Sequence, residues 1–267
     1  MTTGAVASPS LRRSLATQLR VIHALLLREV ITRFGRRNVG VLWLILEPML
    51  FTVFVAGLWS AARLNHGSSL PIVAFAVTGY TSVLMWRNTV GRCNAAVLQN
   101  MNLLFHRNVK VLDILISRVL LECGGAAASF LILTLMMLAA ELMRLPEDPL
   151  KVVGGLLLLA WFSAGLGFVI GAAASMSELV DRIWHPLAYI LLPLSGAMFM
   201  VDWLPAQTQA YALALPMVHC LELLREGYFG SAVRTHYDLG YVVTFNLVLT
   251  LAGLVLVRLA SRRVEGL

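Results

Sequence analysis

The chain has 267 residues, of which 59% are hydrophobic and 13% are charged, and its formal net charge is +7. A water-soluble domain carries about 25% charged residues and hides its apolar surface in one core. The composition therefore excludes a soluble globular protein and indicates a polytopic membrane protein.

Residues 11–34 predict a basic amphipathic helix ahead of the first apolar run. Apolar residues recur at three- and four-residue intervals and form one stripe: Leu11, Leu15, Leu19, Ile22, Leu26 and Val30. Four arginines lie outside this stripe: Arg12, Arg13, Arg20 and Arg28. Such a helix lies in the cytoplasmic membrane interface, and packing on a soluble partner is the other interpretation. We divide the chain into a cytoplasmic tail with this interfacial helix, 1–38, and a transmembrane domain, 39–267.

Six apolar stretches are long enough, or nearly so, to cross the hydrocarbon core as helices. They are approximately 41–62, 71–90, 115–140, 152–174, 186–201 and 240–258. The sequence therefore predicts an all-α fold with six transmembrane helices.

The distribution of basic residues predicts the orientation. If both ends of the chain lie on one face of the membrane, that face receives 16 of the 21 Lys and Arg residues. Because basic residues accumulate on the cytoplasmic side, both termini are predicted to be cytoplasmic. This topology accounts for the positive charge without nucleic-acid binding.

The connection after the second span, 91–113, is too polar to cross the membrane. It predicts a short helix with an apolar face and flanking basic groups, which a partner protein could bind: Leu98, Met101, Leu104, Phe105, His106, Arg107 and Lys110. A partner's groove commonly holds such a helix. An ordinary loop helix lying on the bilayer is the alternative.

Residues 202–238 are apolar in the middle but are divided by Pro205 and Pro216 into pieces of about ten residues. Ten helical residues rise only about 15 Å, half of the hydrocarbon thickness. We expect re-entrant or interfacial helices on the periplasmic face between spans five and six. If these pieces were two further spans, the total number of spans would still be even. The short length of the pieces and the acids Glu222 and Glu226 argue against this alternative.

Motifs for independent chemistry are missing from the sequence. It has no Gly-rich loop ending in Gly-Lys-Ser/Thr, no His-Glu-x-x-His and no Gly-x-Ser-x-Gly, and its six histidines are scattered. No cofactor or metal site is therefore predicted in this chain. Any energy for uphill transport must come from another protein.

Two segments resemble ABC-2-type exporter permeases. In "REVITRFGRRNVGVLWLILEPMLF" (28–51) the matching positions are Arg33, Phe34, Gly40, Trp43 and Pro48. The Glu-Pro form is similar to the branch that exports capsular polysaccharide in Gram-negative bacteria. The segment "LPMVHCLELLREGYFG" (215–230) also resembles that branch. Its matching positions are Pro216, His219, Glu222, Arg225 and Gly227.

The resemblance implies an inner-membrane homodimer with two copies of a cytoplasmic ATPase, which binds the ATP and Mg²⁺. A coupling helix would pass ATP-driven motion to a path for lipid-linked polysaccharide, continued by a periplasmic adaptor and an outer-membrane pore. O-antigen, teichoic acid or another lipid-linked glycan is the alternative cargo. A membrane glycosyl- or acyltransferase and a passive channel are the rivals from other classes.

Two further groups of candidate site residues follow. Substrate access and path are assigned to Arg33, Arg36, Arg37, Trp43, Glu47, Pro48, Tyr80, Trp86 and Tyr189. A periplasmic gate or adaptor contact is assigned to Pro216, His219, Glu222, Arg225, Glu226 and Tyr228. Each group also has a simpler interpretation. The arginines could only determine the topology, and the aromatic residues could only belong to the belt at the membrane interface. Glu47 and the Glu222–Glu226 segment could only form structural ion pairs.

Overall fold

The computed structural model describes residues 11–34, 39–61, 70–104 and 109–265. Within these ranges the chain forms helices and connecting turns, without a strand. The α-helices of these ranges are α1 (Leu11–Phe34), α2 (Val39–Ala61), α3 (Ile72–Gln99), α4 (Met101–Leu104), α5 (Val111–Ala139), α6 (Pro149–Met176), α7 (Glu178–Leu194), α8 (Ala206–Leu213), α9 (Pro216–Phe229) and α10 (Leu239–Glu265). Two 3₁₀ turns, Val201–Trp203 and Gly230–Ala232, flank α8 and α9.

Local chemistry sets where several helices begin. Asp148 precedes α6, and its Oδ1 accepts hydrogen bonds from the backbone N–H groups of Leu150 (3.0 Å) and Lys151 (3.2 Å). Pro149 and Pro216 occupy the first turns of α6 and α9, where a missing N–H leaves no hydrogen bond unmade.

Helices α3 and α6 form the centre of the molecule. Helix α3 packs against α5 and α6, α6 also contacts α9 and α10, α2 lies against α3 and α5, and α1 lies against α5. The α6–α9 contact is very close because each helix has a glycine there. A Cβ added at Gly155 would lie 2.8 Å from the Cβ of Leu224, and one added at Gly227 would lie 2.7 Å from the backbone nitrogen of Val152.

Three helices in the described part of the chain are long and apolar enough to cross a bilayer. They are α5, α6 and the Leu239–Arg263 part of α10; Ile45–Ala61 within α2 is apolar but shorter. The all-α class is thus confirmed for the described residues, with three clear apolar spans. The total of six spans stays a prediction.

Each of the six predicted spans overlaps a helix of the described residues, and two of these helices extend well beyond the predicted span. The fifth span is predicted at 186–201, whereas α7 runs from Glu178 to Leu194. Acidic residues in its first turn stabilise the earlier start, and Gly196, with φ +84°, follows its last turn. Helix α3 continues nine residues beyond 90, so much of the predicted connection 91–113 is helix.

Candidate functional site

A cleft of about 230 Å³ opens between α3 and α7. Its polar and aromatic lining comes from Arg87, Asn88 and Arg92 of α3 and from Trp184, His185 and Tyr189 of α7. Residues three or four apart on a helix share one face, as Asn88 and Arg92 of α3 and His185 and Tyr189 of α7 do. We call this the α3/α7 cleft.

The α3/α7 cleft is electropositive. The Arg87 guanidinium lies 4.5 Å from the ring centroid of Tyr189, within cation–π distance. Arg92 Nε is 3.8 Å from Oε1 of Glu122, a buried carboxylate of α5. Among the described residues no carboxylate lies within ion-pair distance of Arg87, so its charge remains available to an incoming anion.

This combination of side chains suits an anion joined to a less polar group. A guanidinium offers a planar fork of donors that matches a phosphate or carboxylate. The Tyr189 side chain is 64% exposed, so its ring is accessible to an apolar or sugar group of a ligand. The cleft therefore places a cationic side chain beside an accessible aromatic ring.

The predicted path residues of α2 divide between two environments. Trp43 and Glu47 are exposed and continue into Leu50 and Phe54 at helical spacing, whereas Pro48 is buried. Around the proline, the Ser129 hydroxyl of α5 lies 2.9 Å from the Ile45 carbonyl oxygen. Glu47 thus places a carboxylate on an otherwise apolar exposed stripe.

The other predicted aromatics differ sharply in exposure. Tyr80 is 3% exposed and Trp86 is fully buried, whereas Tyr189 lines the α3/α7 cleft. Tyr80 lies in an aromatic cluster, 5.6 Å from both Phe51 and Trp59 by ring centroids. Because a ring must be accessible to stack on a sugar, burial argues against that role for Tyr80 and Trp86 in this conformation.

The predicted gate residues form a cluster around α9. Glu222 is 1% exposed; its Oε1 accepts a hydrogen bond from the Val201 backbone N–H at 3.1 Å, and its Oε2 accepts one from that of His236 at 2.9 Å. Both carboxylate oxygens therefore hold chain segments that flank α9. This burial suits positioning of the segments, and the gate or adaptor role stays a prediction.

Arg225 has no exposed surface and binds the chain just after α7. Its Nη1 donates to the carbonyls of Gly196 (2.6 Å) and Phe199 (2.7 Å), and its Nη2 donates to that of Ala197 (2.7 Å). Since the last carbonyls of a helix and the turn that follows lack intrahelical partners, the guanidinium satisfies them. A helix end that would otherwise be costly to bury is stabilised in this way.

The remaining members of the α9 cluster also hold the chain together. His219 accepts a hydrogen bond at Nδ1 from the Asp238 backbone N–H (2.9 Å), and its Nε2 lies 2.7 Å from the Leu213 carbonyl oxygen. The hydroxyl of buried Tyr228 donates to the carbonyl of Arg144 (2.5 Å). Pro216 is buried as well and begins α9.

Glu226 is the partly exposed member of this cluster. Lys151 Nζ lies 2.9 Å from its Oε1 and the Thr235 hydroxyl lies 3.3 Å from its Oε2. Hydrogen bonding from the Tyr237 hydroxyl, followed by that from Lys151, lowers the pKa of this carboxyl. Its side chain is 26% exposed, so solvent screens the ion pair.

The predicted coupling residues occupy two elements rather than one helix. Leu98 is exposed at the end of α3, a turn intervenes at Asn100, and Met101 and Leu104 belong to α4. Lys110 precedes α5, and its backbone N–H donates to Asp113 Oδ2 at 3.1 Å. Phe105, His106 and Arg107 lie outside the described residues, as do Arg36 and Arg37 of the predicted path, and for Arg33 only the α1 backbone is described.

The sequence analysis did not single out the α3/α7 cleft. Arg87 and Arg92 were counted only as determinants of topology, and His185 only as a scattered histidine. A signal was present, because a span ending in two arginines precedes a helix with Trp184, His185 and Tyr189 on one face. The residues of α3 and α7 that line the cleft are about 100 positions apart, so the local periodicity of the sequence could not predict that they are neighbours.

Comparison with known proteins identifies the family. The model of the ABC-2 type transporter family matches residues 20–229. The chain belongs to the ABC-2 type transporter family. This confirms the resemblance seen in the sequence and makes the chain a transport subunit.

Named relatives of this ABC-2 family member cover almost its whole length. It is 43% identical over 254 residues to the capsule polysaccharide export inner-membrane protein BexB of Haemophilus influenzae, covering 95% of this chain and 96% of the relative. It is 45% identical over 252 residues to the corresponding protein CtrC of Neisseria meningitidis serogroup B, with 94% and 95% covered. The polysialic acid transport protein KpsM of Escherichia coli is 29% identical over 248 residues, with 92% and 96% covered.

Proposed function

We propose that this chain is the membrane permease subunit of an ABC exporter that moves lipid-linked capsular polysaccharide across the bacterial inner membrane. The observation that carries the proposal is the end-to-end similarity, at 43% and 45% identity, to two proteins named for capsule polysaccharide export. A separate cytoplasmic ATPase supplies the energy, since the sequence has no phosphate-binding loop of its own.

The proposed assembly has two copies of this chain and two ATPases, and a periplasmic adaptor and an outer-membrane pore continue the route. Each copy crosses the membrane six times, through α2, α3, α5, α6, α7 and α10, with both termini in the cytoplasm. Helices α8 and α9 then form re-entrant elements on the periplasmic side. Their lengths of 8 and 14 residues, against about 20 for a full crossing, support this arrangement.

The α3/α7 cleft is the proposed docking site for the acidic end of the substrate. Measured from the predicted cytoplasmic end of the second span at residue 90, Arg87 lies about 4.5 Å into the span at 1.5 Å per residue. Tyr189 lies about 16 Å along α7 from Glu178. Arg92 and His185 lie closer to the cytoplasm. Positive charge in the membrane is costly unless it serves a ligand or a partner, which favours binding of an anionic headgroup.

Helix α2 is proposed to face the second copy and the translocation path. Its exposed stripe contains large apolar side chains and the single carboxylate of Glu47. Large exposed apolar surfaces beyond those facing lipid mark an interface. A carboxylate on that stripe fits a hydrated path between two copies better than contact with lipid tails.

Deletion of the gene in the organism that encodes the chain tests this function against a transferase. An exporter predicts that complete lipid-linked polysaccharide accumulates inside the cell and disappears from the surface, and that re-expression restores it. Truncated or missing polymer in the cell would instead indicate a synthetic enzyme. Unchanged surface polysaccharide would refute the proposal.

A further inference from the structure

Glu122 is a buried carboxylate in the apolar helix α5. Its side chain is only 3% exposed, and a charge at such a place in a membrane span is costly unless an opposite charge lies near it. Arg92 of α3 supplies that charge, with Nε 3.8 Å from Oε1 of Glu122. Because this separation is longer than a hydrogen bond, the contact between the two atoms is electrostatic.

Arg92 also lines the α3/α7 cleft, and its side chain is 44% exposed. The same guanidinium therefore lies between a buried carboxylate and an open cleft. A guanidinium fork matches a phosphate or a carboxylate, so an anionic ligand in the cleft would interact with this group as well. The ligand and Glu122 would then share the charge of one arginine.

Two other arginines near this end of α5 have partners outside the cleft. Arg118, one helical turn before the buried carboxylate, forms an ion pair with Glu29, and the two side chains are 7% and 12% exposed. Arg28 Nη1 donates to Asn100 Oδ1 at 2.6 Å. Neither arginine lines the cleft, so Arg92 connects the carboxylate with the cleft.

We propose that Glu122 is a positioning residue that weakens the binding of an anionic headgroup in the α3/α7 cleft by competing with it for Arg92. The inference rests on the proposed function, in which this cleft docks the acidic end of the substrate. Transport requires a site that binds well enough to admit its substrate and weakly enough to release it. The arginines of the cleft favour entry of the headgroup, and the carboxylate behind Arg92 favours its release.

Neutralising Glu122 should therefore have the opposite effect to removing an arginine of the cleft. Two like charges about 8–10 Å apart, at an effective dielectric constant of about 20, repel strongly enough to weaken binding about tenfold. Glu122→Gln keeps the shape of the side chain and removes its charge, so it should tighten binding of an anion by about that factor. Disturbed packing would weaken binding instead, since Arg92 would be displaced.

The first measurement is the affinity for dodecyl phosphate, which joins a phosphate to an alkyl chain. It is titrated into the full-length protein in phosphatidylcholine nanodiscs, and the rise of the unfolding midpoint gives the apparent Kd. This Kd should fall about tenfold in Glu122→Gln. The gain should disappear in the double variant Glu122→Gln/Arg92→Gln, because the carboxylate acts through Arg92.

Glu178→Gln is the matched control. It removes the same charge from a carboxylate of α7 that is 87% exposed, where water screens it, and it should bind dodecyl phosphate as wild type does. An unchanged or higher Kd in Glu122→Gln, or an equal gain in Glu178→Gln, would overturn the inference. If Glu122→Gln does not assemble, Glu122→Asp decides, because withdrawing the carboxylate by one methylene should still lower the Kd, and an unchanged or higher value would overturn the inference.

The second measurement is transport in proteoliposomes that contain this chain and its ATPase. Glu122→Gln should lower the glycolipid concentration at half-maximal rate and also lower the maximal rate, because release becomes slower. A lower maximal rate with an unchanged or higher half-maximal concentration would contradict the competition for Arg92. If wild-type protein moves no polymer, the proposed function fails, whereas the titration with dodecyl phosphate requires no transport and tests the competition separately.

Discussion

The Arg225 guanidinium lies 3.9 Å from the centroid of the Phe75 ring, so a buried cation of α9 covers an aromatic side chain at the start of α3. The same group donates hydrogen bonds to three carbonyls after α7. One side chain therefore joins the ends of three helices. A buried arginine with this many partners stabilises the arrangement because each carbonyl would otherwise be unpaired.

Replacing Arg225 should destabilise the protein severely. Arg225→Ala leaves the carbonyls of Gly196, Ala197 and Phe199 without their donors and opens a cavity, at a cost of about 3 kcal/mol or more. The midpoint of thermal unfolding in detergent measures the loss. Arg234→Ala, which removes an exposed arginine from the same region, is the control, and equal midpoints for the two variants would contradict the assigned role.

The close contact between α6 and α9 predicts opposite effects at two neighbouring glycines. A methyl group at Gly155 would lie 2.9 Å from the carbonyl oxygen of Cys220, whereas one at Gly154 meets only a Leu223 methyl at 3.9 Å. Gly155→Ala should therefore destabilise by about 1–3 kcal/mol through overpacking. Gly154→Ala should be neutral or stabilising because alanine favours a helix.

Unfolding midpoints of these two variants compare them directly. Since the residues are adjacent in one helix and undergo the same chemical change, lipid and detergent effects are matched. A lower midpoint for Gly154→Ala than for Gly155→Ala would show that the helices do not approach each other at Gly155.

Removing the charge of Arg87 should weaken substrate binding. A charge-assisted hydrogen bond contributes about 1.5–3 kcal/mol, so Arg87→Ala should lower apparent affinity for the lipid-linked polymer roughly tenfold to a hundredfold. Transport rate against glycolipid concentration in proteoliposomes separates this effect from the maximal rate. The control is Arg182→Ala on α7, where an exposed arginine pairs with Glu178 four residues before it; indistinguishable curves for the two variants would rule out the cleft as the docking site.

The lowered pKa of Glu226 predicts a pH-dependent contribution to stability. The folded state favours the ionised carboxylate, through Tyr237 and Lys151. Its stabilisation is therefore fully present above 4.5, the ordinary pKa of this carboxyl, and is lost as the pH falls through the lower, folded pKa. The unfolding midpoints of wild type and Glu226→Gln should differ at pH 7 and converge in more acidic solution. A difference that grows on acidification would show that the sign is wrong.

Much of the helical layout could be predicted from apolar runs alone. All six predicted spans overlap helices of the described residues, because a long apolar run is both a lipid-compatible surface and a helical core. The difference at α7 arises because apolar residues continue past Pro193, whereas the helix starts at the acids Glu178 and Asp181, which are helix-start signals. Both acids can be read from the sequence, and they indicate where α7 begins.

The functional contacts were harder to predict because they join distant positions. Arg28 and Asn100 are 72 residues apart, and Arg87 and Tyr189 are 102 apart. Neither pair leaves a periodic trace, since its two members belong to different parts of the chain. Only the packing of α1 on α5 and of α3 on α7 makes them neighbours.

ATP-dependent movement of lipid-linked polysaccharide across a proteoliposome membrane tests the central claim most directly. The account predicts movement when this chain and its ATPase are reconstituted together with ATP and Mg²⁺, and none when either protein is omitted. Movement by this chain alone, or hydrolysis of ATP by this chain alone, would contradict it.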